Sequence, residues 1–245
     1  MIGLIGFGRF GKLTIEHLSG TCQMVAYNSG NKGELIEAAG AEPVSLAEAC
    51  GQEIVLLCMP ISAMPATLEK IAPLLTHPEA LVVDVCSVKT LPVKWMRAKL
   101  PATVSLLATH PMFGPDSARD SLQGHKIVLC PERIDQDRYR KIAARLETLG
   151  LVVIESTPED HDRQIAVSLA LTHFIGRSLS SFGAQDLLID TEGYKRLLHI
   201  LDVVENDTWQ LFEDMHRFNP FAAETRREFI NALQAIETHL LEKAE

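Results

Sequence analysis

Ile2-Gly3-Leu4-Ile5-Gly6-Phe7-Gly8-Arg9-Phe10-Gly11 sets a short apolar run directly before glycines spaced G-x-G-x-x-G, and an amphipathic stretch begins at Lys12. A strand that turns sharply into a helix uses each glycine differently. Gly6 permits the tight turn, Gly8 lets the backbone approach a pyrophosphate, and Gly11 lets helix and strand pack closely. The helix start then offers unpaired N–H groups and the positive end of its dipole to phosphate oxygens. Arg9 and Phe10, between those glycines, join Gly6, Gly8 and Gly11 as candidate cofactor contacts. Spacing alone is weak; the strand before it and the helix after it give the motif its required context.

Outward from this loop, short apolar runs alternate with helical stretches. Residues 2–5, 24–27, 54–58, 81–85, 104–108, 126–129 and 152–154 read as strands, and 12–18, 46–49, 66–75 and 139–149 as amphipathic helices. Such alternation predicts a mainly parallel sheet covered on both faces. Beyond about Ser156 the strand signal stops, and 165–182, 194–218 and 221–241 keep a helical period. The expected architecture is α/β: a Rossmann-type doubly wound sheet over 1–155, then an all-α domain over 156–245 that serves substrate binding and dimerisation.

Composition narrows the partners. A net charge of −9 argues against a nucleic-acid or anionic-membrane face, though a few local cations would suffice for an anionic small molecule. The five cysteines, Cys22, Cys50, Cys58, Cys86 and Cys130, are odd in number and lack a C-x-x-C pair. That pattern fits reduced thiols in the cytoplasm and predicts no metal site. No apolar run approaches the ~20 residues of a bilayer span, so no membrane contact is expected. No basic stretch precedes the first strand, and no targeting peptide is visible.

The end of the second strand bears on cofactor choice. An NAD site usually has an acid about 20 residues beyond the glycine loop, bonded to the ribose 2′-hydroxyl. Here the strand runs into Asn28-Ser29-Gly30-Asn31-Lys32, with no acid before Glu34. Asn28, Ser29 and Lys32 are amide, hydroxyl and ammonium donors suited to a 2′-phosphate, so NADP is expected ahead of NAD. The same residues are also ordinary turn formers.

Two further strand ends carry Cys86-Ser87-Val88-Lys89 and Thr109-His110-Pro111-Met112-Phe113-Gly114-Pro115. Ligand chemistry in doubly wound sheets collects at such ends. No G-x-S-x-G surrounds Ser87, so a hydrolase nucleophile is disfavoured. A hydrogen bond from Ser87 that orients the His110 imidazole fits better. Cys86 reads as a packed small residue rather than a nucleophile.

With these residues the chain resembles the prephenate and arogenate dehydrogenase family, nearest its plant-type arogenate branch. The resemblance rests on the glycine loop, Asp84-Val85-Cys86-Ser87-Val88-Lys89 and His110-Pro111-Met112-Phe113-Gly114-Pro115. It continues through His161-Asp162, Thr172-His173-Phe174-Ile175-Gly176-Arg177, Asp190-Thr191-Glu192-Gly193-Tyr194 and Val204-Glu205-Asn206. It implies oxidative decarboxylation of prephenate or arogenate in tyrosine biosynthesis, and a homodimer through the C-terminal helices. His110 would be the catalytic histidine, Ser87 its partner and His173 a substrate-site residue. Many bacterial members have Gly-Phe-Arg-Asp where this chain has Gly193-Tyr194-Lys195-Arg196, so the carboxylate-holding cation becomes Lys195, with Arg177 and Arg196 as other candidates. Lysine lacks the planar fork of arginine.

Blander roles stand beside these. His161-Asp162 could cap a helix, His173 could be a packing residue, and Arg177 an ordinary ion-pair partner. Trp209, Phe212, Phe218 and Phe221 read as helix-packing core at a dimer interface. The rival functions are another small β-hydroxyacid or imine dehydrogenase, and a non-catalytic NADP-binding sensor.

Overall fold

The computed structural model describes residues 1–243, apart from the side chains of Val203 and Glu205; Glu205, one of the residues carrying the family resemblance, therefore lies outside the described side chains. The chain forms two compact units, Met1–His161 and Asp162–Glu245. This division falls later than the expected boundary at 155/156, and it lies inside a helix.

Unit 1 begins β1 (Ile2–Ile5), α1 (Arg9–Leu18), β2 (Met24–Tyr27), α2 (Gly33–Ala39), β3 (Glu42–Pro43), α3 (Leu46–Cys50) and β4 (Ile54–Leu57). It continues with α4 (Met64–Ile71), β5 (Leu81–Asp84), α5 (Thr90–Lys99), β6 (Ser105–Pro111), β7 (Lys126–Arg133), α6 (Gln136–Thr148) and β8 (Val152–Glu155). Helix α7 (Pro158–Ile165) crosses the division. The described strands form one sheet in the order β3-β2-β1-β4-β5-β6-β7-β8. All neighbouring pairs are parallel except β6 with β7. The sheet is thus mainly parallel and doubly wound, as expected. The strand order reverses at β1 and β4, where such sheets open a ligand crevice beyond their carboxyl ends.

Burial explains the sequence pattern. All of β5 is buried, as suits a central parallel strand covered on both faces. Leu4, Phe7, Ile15 and Ala26 pack α1 and α2 on one part of the sheet, while Leu81, Leu107, Leu129 and Tyr139 anchor α6 on another. Strand β6 runs beyond the expected 104–108 to Pro111 because antiparallel β7 keeps pairing with it, His110 opposite Val128 and Pro111 opposite Ile127. His110 consequently sits in a strand, not in a loop. Helices α2 and α5 and the short β3 were not anticipated. The α5 segment places Pro92 in its first turn, and β3 contains Pro43, so neither carries a clean period.

Unit 2 holds a π-helical segment (Ala166–Leu171), α8 (Thr172–Phe182), α9 (Glu192–Glu205), α10 (Trp209–Phe218) and α11 (Ala222–Lys243). The expected helix over 194–218 is two helices. Thr208 ends the first path by capping the second, its hydroxyl accepting from Leu211 N at 3.1 Å. Ala170, Met215 and Ala222 form the small core. Gly176 lets α9 approach closely, since a Cβ there would lie 2.7 Å from a Val204 methyl. By length and composition the helical run Pro158–Phe182 reaches the range of a membrane span, which corrects the expectation that no segment would. Soluble core helices reach it too, and this run carries the buried polar residues His161, Asp162 and His173.

One polar knot ties the carboxyl ends of β5 and β6. Lys89 and Asp84 have fully buried side chains and form an ion pair. The Lys89 ammonium also donates to the Thr109 carbonyl. Asp84 Oδ2 accepts from Cys86 N at 3.0 Å, and the Thr109 hydroxyl donates to the Asp84 carbonyl at 2.7 Å. Lys89→Met strands the carboxylate in the interior and should cost about 3–5 kcal/mol in urea unfolding, whereas Asp84→Asn combined with Lys89→Met should regain most of that. Equal losses in the single and double variants would show that the pair is not coupled.

Candidate active site

The glycine loop has the geometry its spacing predicts. Gly6 takes φ +103°, and a Cβ there would meet the Cys58 carbonyl oxygen at 2.6 Å. At Gly11 a Cβ would come 2.4 Å from the Gly6 carbonyl oxygen, so α1 packs against the loop as only glycine allows. At Gly8 nothing lies within 4 Å. Gly8 is also the N-cap of α1 and supplies no side-chain acceptor, leaving the first-turn N–H groups uncapped. A tight turn, open space and an uncapped helix start together fit a dinucleotide pyrophosphate.

The β2 end is joined to this loop. Asn28 Oδ1 accepts from Phe7 N at 3.1 Å, and Lys32 Nζ donates to the Phe7 carbonyl at 2.8 Å. Asn28 Nδ2 also donates to the Gly30 carbonyl at 3.3 Å, while Ser29 is exposed. Asn28 and Lys32 thus hold fixed positions beside the loop. The segment after His110 reaches the loop from the other direction. The Phe113 ring lies 6.2 Å from the Phe10 ring, and Asp116 pairs with Arg9 at 2.6 Å.

His110 is buried, with Nδ1 2.8 Å from Nε2 of His161. Burial drives its pKa well below the ordinary histidine value; the neighbouring His161 and Lys89 push the same way. The imidazole is therefore neutral across physiological pH and can accept a proton. The expected Ser87–His110 hydrogen bond is not made. His161 is already engaged with Nδ1, and the buried Ser87 hydroxyl has no hydrogen-bond partner among the described residues. A buried hydroxyl left so costs about 1–3 kcal/mol, which a ligand acceptor or donor would offset. Cys86 is no nucleophile: burial, then Asp84, raises its thiol well above the usual range.

The sequence reading missed the part played by His161. It is buried within α7 rather than capping it, and no sequence spacing joins it to a histidine on β6. The polar motif His161-Asp162 on an otherwise amphipathic helix was the available signal.

Within unit 2, His173 and Arg177 both address Asp207. His173 Nε2 lies 3.7 Å from the Asp207 carboxylate, and Arg177 donates to the Asp207 carbonyl. The Arg177 guanidinium also lies 4.7 Å from the Trp209 ring centre. Burial lowers the His173 pKa, Asp207 raises it and Arg177 lowers it again. His173 Nδ1 and Arg177 Nε are buried without partners among the described residues. Arg177 and Lys195 line one cavity of about 560 Å³. Lys195 is half exposed and lies 3.5 Å from Asp190 and 3.6 Å from Glu192, while Arg196 is exposed. His216, given no role from sequence, is lowered to about 4 by burial, with Arg226 and His173 adding to the effect.

Residues 25–155, more than half the chain, match the family model described as prephenate dehydrogenase, nucleotide-binding domain. Residues 178–245 match the model described as TYRAAT1-like, C-terminal domain. The chain is 30% identical to arogenate dehydrogenase 2, chloroplastic, of Arabidopsis thaliana, over 98% of this chain and 69% of that protein. It is 29% identical to arogenate dehydrogenase 1, chloroplastic, of the same plant, but spans only 39% of that relative's length. In fold it is similar to prephenate dehydrogenase from A. aeolicus in complex with hydroxyphenyl propionate and NAD+ (TM-score 0.78, 21% identity, 98% of this chain and 90% of that one). Synechocystis arogenate dehydrogenase is another such neighbour (TM-score 0.73, 22% identity, 99% and 92% covered). With a glycine loop of this geometry and a buried histidine at a strand end, these matches agree: the chain belongs to the prephenate/arogenate dehydrogenase family.

Proposed function

We propose that the chain oxidises and decarboxylates prephenate or arogenate, with NADP as hydride acceptor, in tyrosine biosynthesis. The observation that carries this reading is His110, buried and held neutral, in the segment whose continuation reaches the glycine loop through Phe113 and Asp116. The nicotinamide, when bound, supplies the acceptor for the hydride leaving the ring carbon that bears the hydroxyl. His110 takes the hydroxyl proton, and Ser87 offers its unpaired hydroxyl to the reacting groups. Breakage of the bond to the opposite ring carboxylate releases carbon dioxide, and its electron pair completes the aromatic ring. His173, Arg177 and Lys195 are the groups we assign to the substrate's charged parts.

His110→Asn should reduce turnover by roughly 10²–10⁴-fold with little effect on cofactor affinity. Only neutral imidazole accepts the proton, so activity should be lost on the acid side of the depressed pKa. The sequence alone suggests a rise with pH near the ordinary histidine value; burial moves that rise below 6.5 and leaves a flat profile through neutrality. Steady-state rates with each ring acid across pH test both points, and a limb centred at or above 6.5 would contradict the assignment.

Preference for NADP rests on the β2 end. Asn28 carries no charge to repel a 2′-phosphate, and Lys32 holds its ammonium at the Phe7 carbonyl beside it. One or two charge-assisted bonds there would favour NADP by roughly 10–100-fold. Asn28→Asp retains an acceptor for Phe7 N but adds the repulsion, and should erase or reverse the preference in kcat/KM. Equal or better use of NAD by the wild type would overturn this part alone.

We also propose a homodimer. Phe182, Leu188, Ile189, Trp209, Leu233, Ile236 and Leu240 are apolar side chains exposed in the single chain, and a second copy would cover them. Trp209 is exposed rather than part of the core of one chain. Light scattering at micromolar concentration should give twice the chain mass; a monomer counts against it. We propose the cytoplasm as its compartment, from the odd number and scattered spacing of its five cysteines.

A further inference from the structure

We propose that His161 is a positioning residue that fixes the tautomer of His110, accepting a hydrogen bond from His110 Nδ1–H so that the Nε2 lone pair is presented to the substrate. The proposal rests on the reading of His110 as the proton acceptor. Its basis is the 2.8 Å approach of His110 Nδ1 to His161 Nε2, with the rings edge to face at 73° and centroids 5.1 Å apart. Only one proton fits between two ring nitrogens at that distance. If His161 Nε2 donated it, Nδ1 of neutral His110 would be the acceptor and Nε2 would carry the ring proton, leaving nothing to take a proton from a hydroxyl. The productive arrangement requires the reverse, with His161 neutral and protonated on Nδ1.

The choice of an imidazole here has chemical content. A carboxylate at the same place would also fix the tautomer, but its charge would shift His110 towards imidazolium. His161 orients without adding negative charge. When Nε2 takes the substrate proton, the resulting imidazolium keeps its Nδ1–H bond to His161, and no other proton needs to move. Both histidines are buried, and the His161 N–H to Thr157 carbonyl bond of 3.0 Å fixes the latter in the first turn of α7. The position therefore costs little reorganisation during the reaction.

The test reads the tautomer directly. In the ¹⁵N spectrum of imidazole-labelled full-length protein at neutral pH, His110 should show a protonated Nδ1 and a bare Nε2, with His110→Asn used for assignment. His161→Phe removes the acceptor and should mix or invert that pattern, lowering kcat on the order of 10²-fold while KM for the ring acid and cofactor affinity stay nearly unchanged. His161→Gln, whose Oε1 can occupy the place of Nε2, should restore the pattern and most of the rate. A wild-type spectrum with the proton on Nε2, or full turnover in a folded His161→Phe, overturns the proposal. So does a Gln variant as slow as Phe. If neither ring acid is oxidised by the wild type, the functional reading fails, and the spectra still decide the hydrogen-bond direction.

Discussion

A lysine ammonium sealed from water at the carboxyl end of the central strand is the constraint around which unit 1 is organised. Desolvating Lys89 and Asp84 is costly, and mutual attraction compensates only if the remaining donors and acceptors are matched. Lys89 meets this by pairing with Asp84 and donating to the Thr109 carbonyl, and Thr109 returns a bond to the Asp84 backbone. Two neighbouring strand ends are thereby locked in one register. The residue after Thr109 is His110, so the direction of its side chain is set by a bond network rather than by loop conformation. The same cation helps to keep that imidazole uncharged.

Much of unit 1 was legible because its signals are local. The glycine loop has a backbone reason for each glycine, and continuous apolar runs such as Leu81-Val82-Val83 mark buried parallel strands. What escaped has a physical explanation. Antiparallel pairing with β7 lengthens β6 and draws His110 into the sheet, and such pairing depends on residues 126–133, not on those near His110. The partner of His110 was misassigned for a related reason. Ser87 is near in sequence logic, two strand ends facing one crevice, whereas His161 arrives on a helix fifty-one positions later. Unit 2 was legible as helical but not in its breaks. Thr208 capping α10 outweighs a hydrophobic period that would otherwise run on from α9.

Several polar atoms are left unsatisfied where ligands are expected. Ser87 Oγ, His173 Nδ1 and Arg177 Nε are buried with no hydrogen-bond partner among the described residues. Native interiors seldom tolerate such groups without a use for them. Each belongs to a motif that carries the family resemblance. Asp84 Oδ1 shares the condition, although its other oxygen pairs with Lys89.

The π-helical segment Ala166–Leu171 has a bearing on how this family can vary in length. A wide turn stores one residue more than an α-helix of equal rise, usually by insertion at a site where a face must be redirected. Removing one residue from 166–171 would let the run relax into ordinary α-helix without breaking it. Because the wide turn spreads its extra residue over nearly the same rotation and rise, every later side chain would keep its place about the axis. Gly176 would still meet Val204 and His173 would still face Asp207, and helix content would be almost unchanged. A deletion here is therefore absorbed within the wide turn, whereas the same deletion from an unbroken α-helix would rotate everything after it by about 100°.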